Sequence, residues 1–436
     1  MLWPSLRTLP LVIQPVPPCH DSSSSQPLGL LKAFKAIIDA QEFPWLPPWR
    51  RGHDKRERDV LHLRRIALRL IRKSTNLSRA KLALRSLTWP LLLPLKALQP
   101  ALACTQPGLP RRFLRGAADL ALHNIRADAL GALRDTRPGN RHLGRLYVPD
   151  RENQALLIHL NRDQAESAIG DKLAFVAFCR THHLPHIPVL AHGQGATLLA
   201  SPEDWPATDL FVKPTNLWGG QGAAVLEHVA AGGWRDAGGQ LLHPHEFAVW
   251  AGRHYGDAPW LIQPMLRVDP TWSDWSPGPL GTVRVVTVIV RPSESPELIA
   301  ASMRLPRANM VVDNFSAGAL CAEIDWRDGR LGPALGHGAF RRWHDRHPDT
   351  GAAITGARIP RWEEVCSLAC AAHAAAPGLV AVGWDITCRA ERPIVIEANP
   401  VFNLAPTVIL GETRWLDAMQ NRLASLDPKY GARHQS

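Results

Sequence analysis

Three oxygen-bearing residues interrupt an apolar stretch near the C-terminus. In VGWDITCRAERPIVIEANP, residues 382–400, Asp385, Glu397 and Asn399 stand among Val and Ile. Val382–Cys388 and Pro393–Ala398 are rich in β-formers, and the polar residues 389–392 between them are turn material. The segment therefore reads as a hairpin. Position 391 lies midway between 385 and 397, so a symmetric hairpin sets Asp385 opposite Glu397. Cross-strand neighbours have Cβ atoms roughly 5 Å apart. Asn399 shares a strand face with Glu397. Two bare carboxylates this close on a buried sheet repel one another and shift their pKa values. A hard divalent cation removes the conflict, and Mg²⁺ prefers such oxygen ligands. The other reading is a surface hairpin with solvated acids; the apolar flanks argue for burial.

A second group of residues suits phosphate. FVKPTNLWGGQGAAVLEHV, residues 211–229, places Lys213 at a strand end before a turn containing Gly219, Gly220, Gln221 and Gly222. Glycines let backbone N–H groups approach an anion closely, and lysine adds a point charge. The spacing is not that of a P-loop, and a glycine-rich turn is weak evidence on its own. Arg284 in GTVRVVTVIV and Arg304 in ASMRLP sit inside apolar strands. A buried arginine is costly unless it meets an anion. That anion is either phosphate or a carboxylate such as Asp313, Glu323 or Asp325. VVDNFSAGAL, 311–320, reads as a substrate loop or an ordinary Asx turn. The histidines of THHLPHIP lack an acid or cysteine cluster and read as solvated or capping residues. WSDWSPG, 272–278, reads as core or as a lid over a ligand.

The surrounding elements must position these groups. Strands are expected at 210–212, 260–266, 282–290 and 298–304, and helices at 164–180 and 361–376. They alternate without strict βαβ order, which implies an α+β fold with open sheets. At 436 residues the chain has room for two or three domains. Seven scattered cysteines without a C-x-x-C pair imply reduced thiols and a cytoplasmic protein. The first 25 residues make a poor secretory signal. No run of about 18 apolar residues exists, so no transmembrane helix is expected. The net charge of +11 is concentrated: residues 50–85 hold 13 Lys/Arg against three acids. This excludes a chain devoted throughout to nucleic acid, and aromatic residues for base stacking are scarce there. Residues 54–87 have helical periodicity, and WPLLLPLKALQPALA follows. Such a segment either packs on the main domain with a solvated basic face or lies on an anionic membrane surface through residues 50–105.

Taken in order, GDKLAFVAFCRTHHLP, FVKP with WGGQG, LIQPML, TVRVVT, MRLPRANMVVDN, and GWDI with IEANP resemble the ATP-grasp superfamily, in its sugar-transfer-associated and α-L-glutamate-ligase-related branch. The resemblance covers roughly 145–420, and the D-x(11)-E-x-N spacing is its most specific part. It implies two open α+β subdomains gripping ATP. The corresponding division is a basic, Pro-rich, mostly helical region at 1–108, a linking subdomain at 109–205, a lid at 206–268 and a large subdomain at 269–425. By this resemblance Lys172 and Lys213 hold ATP phosphates, and Gly219, Gly220, Gln221 and Gly222 form the lid over them. Gln263 and the backbone to Leu266 meet the adenine, and Asp269 reaches the ribose. Asp385, Glu397 and Asn399 bind two Mg²⁺ ions, with Mn²⁺ as an alternative. One position departs. Many ATP-grasp ligases carry an arginine two residues before the aspartate, where this chain has Gly383; Arg284 or Arg304 then supplies that charge. The implied activity is ATP-dependent ligation of a small-molecule or glycan-linked carboxylate to an amine or thiol through an acylphosphate. A kinase using the same machinery and a non-catalytic membrane-associated protein are the alternatives.

Overall fold

The computed structural model describes residues 54–74, 146–161, 171–215, 220–266, 269–336 apart from 292, 343–389, 391–402 and 414–426, with a few isolated positions besides. Its elements, in chain order, are α1 (Lys55–Ser74), α2 (Asp150–Leu160), α3 (Lys172–Thr181), β1 (Ala191–Gln194), β2 (Thr197–Ala200), β3 (Leu210–Pro214), β4 (Ala224–His228), β5 (Trp234–Arg235) and β6 (Leu241–Leu242). Then come α4 (Phe247–Tyr255), β7 (Pro259–Pro264), β8 (Thr282–Val288), β9 (Glu297–Leu305), β10 (Leu320–Ile324), β11 (Leu331–Leu335) and β12 (Trp343–His344). The chain continues through α5 (Trp362–Ala374), β13 (Ala381–Cys388), β14 (Pro393–Asn399) and α6 (Arg414–Leu426). A short helix that the sequence allows at 33–41, and residues 75–87 of the expected basic segment, fall outside the described residues.

The strands form two antiparallel seven-stranded sheets. The smaller-numbered sheet runs β2-β1-β7-β3-β4-β5-β6 and the other β12-β11-β10-β9-β8-β13-β14. Period-two burial shows why these segments are strands. In β3, Leu210 and Val212 enter a core while Phe211 and Lys213 are only half-buried. In β10, Leu320, Ala322 and Ile324 are buried and Cys321 and Glu323 face the other side. The first sheet already includes β1, whose Ala191 pairs with Ile262 of β7. The boundary at 206 read from the sequence thus cuts through this sheet, because β1 and β2 are joined to it by long-range pairing.

One face of the second sheet packs on α5 and α3. Val283, Val285, Met303, Trp384 and Ile386 meet Val365, Ala369, Phe175 and Phe178 there. Trp272 is fully buried in the same cluster and Trp275 packs against it, so the two tryptophans of WSDWSPG serve the core while Ser273, Asp274 and Gly278 are exposed. Helix α3 starts where Asp171 accepts hydrogen bonds from the N–H groups of Leu173 and Ala174, at 2.8 and 3.0 Å. The opposite face is divided. At one end Val286, Val288, Ile299 and Ala381 are covered by α1, α2 and α6. The rest of that face carries polar side chains.

The basic helix α1 is a packed element. Val60, Leu63, Ile66 and Ala67 lie in the same core as Leu156, Leu157, Trp415 and Met419. Arg58, Arg65, Arg69 and Lys73 remain exposed. Arg64 instead turns inward and forms a two-point ion pair with Glu152 of α2, at 2.6 and 3.0 Å. Their side chains are 2% and 5% exposed. Helix α2 in turn holds the chain beyond β14: Asn153 donates to the Phe402 carbonyl and Asn161 to that of Pro400. Among the described residues, no helix is long and apolar enough to cross a membrane.

Removing one partner of a buried pair strands the other charge. Arg64→Met is expected to lower stability by roughly 3–5 kcal/mol, read as a lower denaturant midpoint. Loss of under about 1 kcal/mol would show the pair to be water-accessible.

Candidate functional site

The hairpin of β13 and β14 has the register expected from the sequence: Asp385 pairs with Glu397, and Gly383 with Asn399. The ladder continues beyond the hairpin. Asp385 pairs with Arg284 of β8, Arg284 with Ser302 of β9, and Ser302 with Glu323 of β10. Directly opposed residues share a face. Glu397, Asp385, Arg284, Ser302 and Glu323 therefore make one polar row across five strands, on the face away from α5. The next row sets Cys321 beside Arg304 and Arg304 beside Thr282.

Charges pair along these rows. Arg284 donates from Nε to Oδ1 of Asp385 and from Nη2 to Oδ2, the latter at 2.9 Å. Arg304 Nη1 reaches the same Oδ2 at 3.1 Å, and Asn399 Nδ2 donates to it at 3.3 Å. Arg304 also lies 3.8 Å from Asp313, whose carboxylate accepts from the Thr282 hydroxyl. Burial works to raise the Asp385 pKa, but Arg284 and Arg304 more than offset it and hold the group below its ordinary value. For Arg304, burial opposes the charge while Asp385 and Asp313 push its pKa above normal. Asp313 is raised, chiefly by burial, with Arg304 acting against the rise.

Gly383 is explained by this packing. A Cβ there would lie 3.0 Å from Arg284 Cδ and 3.3 Å from Phe402 Cβ. The Arg284 side chain lies over the position, so the guanidinium that a residue at 383 could have brought comes from the adjacent strand.

Two lysines approach from the other sheet and from α3. Lys213 is the penultimate residue of β3, half-buried, with its ammonium 5.6 Å from the Phe211 ring centre. Lys172, in the first turn of α3, donates to the carbonyls of Thr215 and Leu217, the former at 3.2 Å. Burial pulls Lys213 down to about 8, while Glu397 raises it and Lys172 lowers it. Lys172 is also lowered by burial, against Glu397 and Asp171. Glu397 thus stands in the field of both lysines. No hydrogen bond or ion pair to it occurs among the described residues, so its oxygens are uncommitted.

The remaining expected site residues are distributed as follows. Gly220, Gln221 and Gly222 form an exposed turn, with φ of 76° at Gly220 and 71° at Gly222. A Cβ on Gly220 would lie 2.6 Å from Val312 Cγ1, so this turn rests on the loop that carries Asp313. Gly219 lies outside the described residues. Gln263 is buried and donates to the Ile187 carbonyl at 3.3 Å, while its amide oxygen has no partner among the described residues. Leu266 follows β7 and is half-exposed. Asp269 caps the short 3-10 turn Pro270–Trp275, accepting from the Thr271 N–H at 2.9 Å and from its hydroxyl. Those bonds hold its pKa low. Ser302 and Thr282 were not singled out from the sequence, and Glu323 only as one carboxylate that the strand arginines could meet. Long-range pairing of β8, β9 and β10 puts Ser302 between Arg284 and Glu323, and Thr282 beside Arg304.

The donor set suits a hard cation: two carboxylates in register, one of them uncommitted, and an amide oxygen available on Asn399. Among the described residues, no group of three or more His, Cys, Asp or Glu side chains is placed to hold a metal, so any such site needs the amide as its third protein ligand.

Residues 151–421 match the model of one sequence family. Two open antiparallel sheets, lysines from one side and an acid–acid–amide hairpin from the other go with that match, and the fold is ATP-grasp. Within that class the chain belongs to the sugar-transfer associated ATP-grasp family. Among curated proteins, none matches the chain by sequence. Solved structures include a D-alanine–D-alanine ligase from Bacillus anthracis, at 10% identity and a TM-score of 0.34, covering 60% of this chain and 70% of the ligase. A biotin carboxylase complex from Campylobacter jejuni shows 10% identity and a TM-score of 0.36, covering 62% of this chain and 52% of the carboxylase. Family membership rests on the sequence match, not on these two likenesses.

The lysine field is directly measurable. Competitive acetylation across pH should place half-ionisation of Lys213 at about 8. Because Glu397 raises that pKa, Glu397→Gln should move it lower still. Titration near the ordinary lysine value of 10.4 would show that Lys213 is solvated.

Proposed function

We propose that this protein is an ATP-dependent ligase that joins a carboxylate to an amine or thiol, with ADP and phosphate as products. The observation that carries the reading is the Asp385–Glu397 register, with Lys172 and Lys213 acting on the uncommitted Glu397 from the opposite side. An oxygen-lined seat facing two half-buried lysines matches the charge of a magnesium–triphosphate.

Bound at Asp385, Glu397 and Asn399, Mg²⁺ would neutralise phosphate charge and orient the transferring group. Lys213 and Lys172 would hold phosphate oxygens from the β3 side. The Gly220–Gly222 turn would cover them and keep water out. Gln263, Leu266 and Asp269 are assigned to the adenosine end.

In the reaction, a carboxylate oxygen of the acceptor attacks the γ-phosphorus. The bond from that phosphorus to the β–γ bridging oxygen breaks, and ADP leaves. The amine then attacks the acyl carbon, phosphate departs, and the nitrogen loses a proton to solvent. No enzyme nucleophile is required. Arg284 and Arg304 would stabilise the charge that grows on the acyl oxygen. Given the sugar-transfer association of the family, the proposed carboxylate is glycan-linked or amino-acid-bearing.

The test is ADP release across a panel of acids and amines. A ligase should need both an acid and an amine (or thiol) for turnover. A phosphoryl-transfer enzyme with the same site would release ADP with one acceptor alone, and that result would overturn the ligation step. Glu397→Gln should abolish Mg²⁺-dependent ADP formation with the fold retained by circular dichroism. Lys213→Met should chiefly weaken nucleotide affinity. Full turnover in the Glu397 variant would remove the site assignment.

A further inference from the structure

The Oδ2 oxygen of Asp385 is crowded. A carboxylate oxygen has two lone-pair sites. Here Oδ2 receives Arg284 Nη2, Arg304 Nη1 and Asn399 Nδ2, while Oδ1 receives Arg284 Nε. A cation that takes Oδ2 must therefore displace guanidinium groups. Those groups cannot lose their charge by giving up a proton. They also cannot move freely into water, since the Arg284 and Arg304 side chains are only 15% and 17% exposed. A half-buried cation whose counterion has been drawn away is costly until another anion arrives.

The two arginines are not equivalent. Arg304 keeps Asp313 at 3.8 Å when Asp385 leaves. Among the described residues, Arg284 has Asp385 as its sole hydrogen-bonded carboxylate. The vacancy would open at Arg284, next to Ser302 on the polar row.

We propose that Arg284 and Arg304 form a latent oxyanion-binding site, closed by Asp385 in the free protein and opened when a magnesium–nucleotide claims that carboxylate. The ligand class is a carboxylate or phosphoryl oxyanion. The inference deepens the reading above, since it takes Asp385 as a ligand of the metal–nucleotide. Its consequence is cooperativity: nucleotide and anion each tighten the binding of the other by the same factor. Binding becomes ordered in effect, because the acceptor's carboxylate finds its arginines available only after the nucleotide has bound.

Isothermal titration of the full chain with inorganic phosphate, at constant ionic strength, tests this. The non-hydrolysable analogue AMPPCP serves as the nucleotide. Phosphate should bind at least roughly tenfold more tightly to protein saturated with Mg·AMPPCP than to free protein. Asp385→Asn should produce that gain without nucleotide, because a neutral amide cannot hold both guanidiniums. Arg284→Met should remove the gain in both backgrounds. Phosphate held by Lys172 and Lys213 is told apart because it does not need Arg284 and is displaced by the nucleotide. If Mg·AMPPCP itself fails to bind, the nucleotide reading falls while the Asp385→Asn arm still reports on the arginines. If Asp385→Asn does not fold, the comparison of native protein with Arg284→Met under Mg·AMPPCP decides. An unchanged phosphate affinity in these arms, or a gain that survives in Arg284→Met, would overturn the proposal.

Discussion

The pairing of β13 with its two neighbours is the constraint on which the site depends. One register sets Asp385 opposite Glu397 on one side and opposite Arg284 on the other. A slip of one residue would send every one of these side chains to the face covered by α5. That face is filled by Val283, Val285, Trp384 and Ile386, which have no place in a polar cleft. The apolar face therefore specifies the register, and the polar row follows from it. The same core that stabilises the second sheet decides which charges meet.

Much of this was legible in the sequence because it is local. The hairpin joins strands separated by four residues, and its pairing follows from where the turn falls. The helix expected at 164–180 is found as well, though it begins only at Lys172 after Asp171 caps it, and β3 with Lys213 near its end shows the alternation of a strand. The arginines were recognisable as misfits in apolar strands, and Asp313 as a carboxylate that Arg304 does approach, but the partner they share, Asp385, was not. Arg284 and Asp385 are 101 residues apart, and no local pattern gives the order β9-β8-β13. For the same reason Ser302 carried no signal of its own. The lid range read from the sequence leaves out β1, which joins β7 from 65 or more positions away through pairing that local periodicity does not encode. The magnesium argument began from two carboxylates needing a cation; in the protein itself, arginines already neutralise one of them.

The distribution of charge has a logic beyond pairing. Asp385 is matched by guanidiniums, whereas Glu397 is felt by ammonium groups that do not touch it. The first arrangement is rigid and directional. The second leaves space and uncommitted oxygens between opposed charges. One row of a sheet thus carries a closed ion-pair end and an open end, and the open end faces the first sheet.

Helix α1 lies outside the stretch that defines the family, yet its Val60, Leu63 and Ile66 cover part of the sheet face beside the polar row. Through Arg64 it steadies α2, and α2 grips the backbone just past Asn399. A fragment trimmed to 151–421 would strip Val60, Leu63 and Ile66 from the core they share with Val286, Val288 and Ile299, and leave Glu152 without its counter-charge. The boundaries that name this domain by sequence are narrower than those that let it stand alone.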